Sequence, residues 1–148
     1  MNSLIILQIL ISSVIATSVM TLFSYTVSEA ARETYKEPVL LGYIFSSLNI
    51  KVSSPLKLFL GWFMHYLIGI AFVVAYHVVW YYQLMDISWK ASILLGIISG
   101  IIGIVSWVIL FKIVPTKPNI DFKGYYAQLF VAHIIFAIVA YVIYNLFI

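Results

Sequence analysis

Cysteine is absent from the 148 residues, and only 9% of them are charged. The first absence excludes structural disulfides, thiolate metal centres and lipid attachment through sulfur. The second excludes an ordinary soluble domain, which carries near 25% charged residues. Signatures of catalysis are missing as well. There is no His-Glu-x-x-His, no nucleophile elbow and no phosphate-binding glycine loop, so no enzymatic activity and no metal centre are expected. The basic residues do not form one patch, and no nucleic-acid partner is expected either.

What is present is apolar. Hydrophobic residues make up 64% of the chain, and its mean hydropathy is +1.11. All thirteen charges fall within 29–57, 86–90 and 112–123, leaving uncharged runs at 1–28, 58–85, 91–111 and 124–148. Each run reaches the ~20 residues needed to cross a hydrocarbon core of about 30 Å. The pattern predicts an all-α membrane protein, a four-transmembrane-helix up-down bundle forming a single domain over 1–148. Its spans lie at about 4–26, 56–84, 89–111 and 124–148. The first run is read as a retained span. Met1–Ser3 carries no Lys or Arg, and the apolar stretch continues to about Val27, longer than the hydrophobic segment of a secretory signal.

Charge sign gives an orientation. Seven of the eight basic residues lie in the first and third connections, and only Lys90 lies in the second. Short basic loops are retained in the cytoplasm. The 27–57 and 112–123 loops are therefore expected on the cytoplasmic side of a bacterial inner membrane, with both termini outside. Trp80-Tyr81-Tyr82 fits an aromatic belt at the outer boundary, and Trp62 marks the inner one.

Within the first loop, Glu29, Arg32, Glu33 and Lys36 have opposite charges at helical i,i+3 spacing. They predict a solvated extension of the first span, with Glu29, Glu33 and Glu37 on one exposed face and Pro38 ending the register. From Pro38 to Ile50 there is no charge, and Leu40, Leu41, Ile44, Phe45 and Leu48 recur at helical spacing. Thirteen residues are too few to span. They are read as a short amphipathic interfacial helix with Pro38 in its first turn, the alternative being a re-entrant or packed loop.

Lipid gives helices no hydrophobic reason to associate, so small residues must permit close packing. Gly96, Ser99, Gly100, Gly103 and Ser106 form one stripe on the third span; Ser13, Ala16, Thr17, Thr21 and Ser24 form another on the first. The two stripes are expected to meet as the tight seam of the bundle. A homodimer contact or a substrate groove beside the glycines is the other use of such a stripe.

Three histidines sit inside spans, where ionisable groups are rare and point to function by default. His65 lies eight residues past Lys57 and His133 ten past Lys123. At 1.5 Å per residue both are about 12–15 Å from the same charged boundary. Around them the spacing repeats: His65, Gly69, Phe72 and Tyr76 parallel His133, Ala137, Ala140 and Tyr144. That suggests an internal parallel duplication, a repeat type that places sites at the interface of its halves. His77 faces elsewhere, near the far headgroups, and is expected to bond water or lipid.

Four readings of the His65 and His133 pair stand. In the first, each neutral imidazole bonds across the bundle to Thr17, Ser99, Tyr66 or a backbone carbonyl. In the second, the pair ligates the iron of a b-type haem, with Gly69 and Ala137 making room, though a di-haem bundle would need a second pair. A divalent metal site is the third, poorly furnished because no Asp, Glu or Cys lies within the spans. In the fourth, His65 and Tyr76 line a small polar cavity of a proton- or solute-linked carrier, with Tyr144 and Thr17 as further polar candidates.

Three segments carry a resemblance. Ile15-Ala16-Thr17-Ser18-Val19-Met20-Thr21-Leu22-Phe23, Met64-His65-Tyr66-Leu67-Ile68-Gly69 and Val131-Ala132-His133-Ile134-Ile135-Phe136-Ala137 resemble stretches of small four-helix bacterial inner-membrane proteins. Ala137 stands where that pattern leads one to expect glycine. The resemblance implies the fold and no activity. The expected role is that of a structural or accessory component of the lipid bilayer, working with other membrane subunits or with a second copy of itself.

Overall fold

Four of the five helices begin at a local signal. The computed structural model describes residues 3–48 and 51–147. It contains α1 (Ser3–Ala31), α2 (Glu37–Ser47), α3 (Ser54–Tyr81), α4 (Trp89–Ile113) and α5 (Phe122–Asn145). Asn49, Ile50 and Ile148, which the predicted elements include, lie outside the described residues, as do Met1 and Asn2. Pro38 and Pro55 stand in the first turns of α2 and α3, where a missing N–H costs nothing. Ser88 Oγ accepts from the Ala91 amide at the start of α4. Asp121 accepts from the Lys123 and Gly124 amides, both at 3.1 Å, at the start of α5.

Four of the helices, α1, α3, α4 and α5, are long and apolar enough to cross a membrane. At 1.5 Å per residue, the 28 residues of α3 extend about 42 Å. The bundle predicted from the uncharged runs is the observed one. Its two basic connections meet at one end: Tyr43 Oη donates to the Thr116 carbonyl at 3.1 Å, and the Asp121 amide donates to Glu33 Oε2 at 3.3 Å. At the other end Gln8 Nε2 donates to the Tyr144 carbonyl at 2.9 Å, joining the beginning of the described chain to its end. The aromatic belt is only partly an outer surface. Tyr81 and Tyr82 are exposed, but Trp80 is buried, its ring centroid 4.7 Å from that of Tyr144.

The solvated extension of the first span forms only as far as Ala31, with Glu29 exposed on it, and does not reach Glu33, Lys36 or Glu37. α1 stops at Ala31, Arg32 adopts φ 55°, and the Glu33 amide returns to the Ser28 carbonyl at 3.1 Å. This left-handed stop turns the chain back on itself. Lys36 then pairs with Glu29 across the reversal at 2.5 Å. Tyr35 and Glu37, freed from the expected exposed face, are carried inward and buried.

α2 is a helix, as its spacing predicts, but protein covers its apolar face. Pro38, Leu40, Leu41 and Ile44 are buried. The helix crosses α3 where Gly61 meets Gly42: a Cβ on Gly61 would collide with the Pro38 carbonyl oxygen and stand 2.9 Å from the Gly42 amide. Backbone contact this close requires glycine at position 61.

The expected seam between α1 and α4 is not the one formed. The main helix interfaces are α4 with α5, α1 with α5, α2 with α3 and α1 with α3. α5 covers the α4 stripe, with Ala132, Ala137 and Ala140 fully buried, while the α1 stripe is shared: Thr17 meets Gly69 and Thr21 meets His65 of α3, and Ser24 meets Gln128 of α5. Gly96 lies under Ile134 and Ala137, Gly100 under Phe130, and Gly103 under the His133 ring. Ser106, the last member of its stripe, is exposed instead and bonds the Ile102 carbonyl of its own helix at 2.8 Å. The duplication does not extend to packing either. A parallel two-fold would make α1–α5 and α3–α4 equivalent, yet only the first is an extensive interface.

Candidate functional site

The separation of α3 from α4 leaves a cavity of about 190 Å³. Thr17 of α1, Glu37 of α2, His65 of α3 and His133 of α5 bring polar groups to it, on walls otherwise built largely from apolar and aromatic side chains such as Phe72, Trp107 and Phe136. Ile68 and Ser106 line it from α3 and α4 while exposed on the outer surface of the bundle. The cavity therefore opens sideways between these two helices.

Each imidazole is held in a definite tautomer by its partner. Thr21 donates its hydroxyl to the Thr17 carbonyl at 2.6 Å, so its oxygen accepts from His65 Nε2 at 2.8 Å. His65 is thus protonated on Nε2, and its Nδ1 is an acceptor. His133 Nδ1 bonds the Leu129 carbonyl at 2.8 Å; a carbonyl only accepts, so His133 carries its proton on Nδ1, and Nε2 is the acceptor. Phe72 meets the His133 ring edge-on at 5.6 Å, and Gly103 leaves room for that ring.

Glu37 was assigned to a solvated face by its spacing from Glu29 and Glu33, and the structure overturns this: it is only 2% exposed. Its Oε1 accepts from Ser24 Oγ at 2.8 Å and from Gln128 Nε2 at 3.1 Å. Burial raises its carboxyl from the ordinary 4.5 to about 7, against the opposing effect of these donors. Oε2 has no hydrogen-bond partner, and neither does Thr17 Oγ1. A sequence signal for Glu37 did exist. It lies three, four and seven residues before Leu40, Leu41 and Ile44, on the buried face of α2. Thr21, Ser24 and Gln128 complete the polar centre; Thr21 and Ser24 were read only as packing residues, and Gln128 had no assigned role.

The other predicted residues are distributed elsewhere. Tyr76 is buried outside the cavity lining and donates to Ser99 Oγ at 2.7 Å, because Ser99 gives its own proton to the Leu95 carbonyl. This bond bridges α3 and α4. Tyr144 pairs with His77 Nδ1 at 2.5 Å, so His77 bonds protein where water or lipid was expected. Gly69 lies against Thr17, whose hydroxyl a Cβ would strike. Gly96, Gly100, Gly103 and Ala137 lie where α4 meets α5.

The geometry lends no support to the haem reading. His65 Nε2 is engaged by Thr21, the His133 ring is packed on Gly103, and the cavity is below the ~300 Å³ usual for sites of drug-sized ligands. Among the described residues no three His, Asp or Glu side chains converge closely enough to hold a metal ion. No family model matches the chain, and neither a curated protein nor a solved structure is significantly similar to it.

Proposed function

We propose that this protein is a non-enzymatic accessory component of a bacterial cytoplasmic membrane, built around an intramembrane cavity that binds a small ligand. The observation that carries this reading is the convergence of Glu37, Thr17, His65 and His133, from four helices, on one cavity of about 190 Å³. Apolar walls with a few placed polar groups are the usual composition of a ligand site. The seven-to-one distribution of basic residues supports placing the end that holds Glu37 on the cytoplasmic side. Four helices long and apolar enough to cross a bilayer support the membrane setting.

Ser106→Trp tests the reading, because an indole at the mouth between α3 and α4 would fill it. Native mass spectrometry of protein released from membranes in mild detergent is expected to show a retained small molecule on the wild type and none on Ser106→Trp. Identical spectra, with neither chain carrying an adduct, would count against a ligand-binding role.

A further inference from the structure

The chemistry of the cavity selects among ligands. Its free polar atoms are mostly acceptors: Glu37 Oε2 has no partner, and the tautomers fixed by Thr21 and Leu129 leave His65 Nδ1 and His133 Nε2 as acceptors. The Thr17 hydroxyl, also without a partner, can play either part. Among the described residues no Lys or Arg lines the cavity. Lys36, the base adjacent to Glu37 in sequence, is held by Glu29 at 2.5 Å. A buried carboxylate left in this state calls for a cation with hydrogens to donate. The apolar walls, and a mouth that faces lipid between Ile68 and Ser106, call for an apolar body on that cation.

We propose that the cavity receives the protonated amine of a small alkylamine, which enters sideways between α3 and α4 and sets its ammonium against the Glu37 carboxylate. This rests on the ligand-binding reading above. The alkyl body lies along Phe72 and Phe136, and the ammonium hydrogens meet acceptors that are otherwise unmet. Carboxylic acids and phosphates are disfavoured, since their charge repels that of Glu37 and no basic residue offsets it.

Protonation of Glu37 competes with the amine. Its carboxyl is pushed up to about 7, so amine binding strengthens as pH rises through that value and the carboxylate becomes available. The titratable groups facing it are Tyr25 on α1, His65 on α3, and Tyr125 and His133 on α5. α4 contributes none to the cavity.

The test uses the full chain in lipid nanodiscs with n-hexylamine, 1-hexanol and hexanoate as probes, binding being read by thermal shift and native mass spectrometry. At about pH 8, n-hexylamine is expected to bind the wild type and to bind Glu37→Gln about tenfold or more weakly, the range of one charge-assisted hydrogen bond. Hexanol should bind both forms alike, and hexanoate neither. Equal binding of n-hexylamine to both forms, or hexanol binding as tightly as the amine, overturns the ammonium assignment and leaves the cavity reading standing. Failure of all three probes, together with no effect of Ser106→Trp on retained ligand, overturns both. If Glu37→Gln does not fold, the wild type decides: affinity for n-hexylamine that does not fall between about pH 8 and about pH 6 refutes the proposal.

Discussion

At the scale of single residues, Glu37 is the position where local charge pattern and tertiary environment disagree most. Three glutamates at i,i+4 spacing beside Arg32 and Lys36 describe a solvated face, and Glu29 behaves so, with its side chain 74% exposed. Glu37 belongs to a different helix from Glu29 because Arg32 ends the first one with φ 55°. Its raised carboxyl has a consequence for stability. The folded chain holds the Glu37 proton up to about 7, whereas the unfolded chain releases it near 4.5. Between these values the folded state binds more protons, so stability is greatest below about 4.5 and declines as pH rises to about 7. The loss from this group is on the order of 3 kcal/mol. Glu37→Gln is expected to remove that slope, as measured by thermal unfolding in detergent across the same pH window. A slope unchanged by the substitution would show that other groups produce it.

At the scale of elements, glycine decides which helices touch. Gly61 sets α2 onto α3, and a Cβ added there has no room beside the Pro38 carbonyl. Gly61→Ala is expected to destabilise the fold by about 1–3 kcal/mol, the range for overpacking, and to lift α2 together with Glu37. Protease cleavage near residue 37 should then accelerate, and an unchanged rate would show that α2 tolerates the displacement. Gly100 makes the α4–α5 interface, where a Cβ would stand 2.9 Å from Phe130 Cδ2 and 3.3 Å from its carbonyl oxygen. Gly100→Leu should lower expression and the detergent unfolding temperature more than Gly61→Ala does, because leucine drives a whole branched side chain into a closed interface where alanine adds one methyl group. Both stripes of small residues were legible in the sequence. Their partners were not, since a stripe states that a helix can approach closely without stating which helix approaches.

At the scale of the whole molecule, the four long helices pack asymmetrically. α5 packs against α1 and α4, α3 packs against α1, and α3 meets α4 only lightly. The cavity is the consequence of that weak contact, with the Tyr76 to Ser99 hydrogen bond closing the gap away from the cavity. The basic connections at one end predict an orientation. A fusion of alkaline phosphatase after Ile148 is expected to be active, and a green fluorescent protein at the same place dark. The reverse pair of results would invert the assignment and put the Glu37 end of the cavity outside.

The sequence by itself determined the solvent and the class of fold. Uncharged runs of helix-spanning length, about twice that of a barrel strand, point to helices, in which each peptide group in lipid bonds within its own segment. It also determined that His65 and His133 share a depth, since rise per residue is constant along a helix, and the structure places both on one cavity. Only the tertiary structure decided what joins them there. Glu37 enters from a separate short helix, Thr21 and Leu129 fix the imidazole tautomers, and Gln128 reaches Ser24 across 104 residues. Periodicity records which face of a helix is buried; which groups meet across that face depends on how helices turn and cross, here through the reversal at Arg32 and the approach at Gly61.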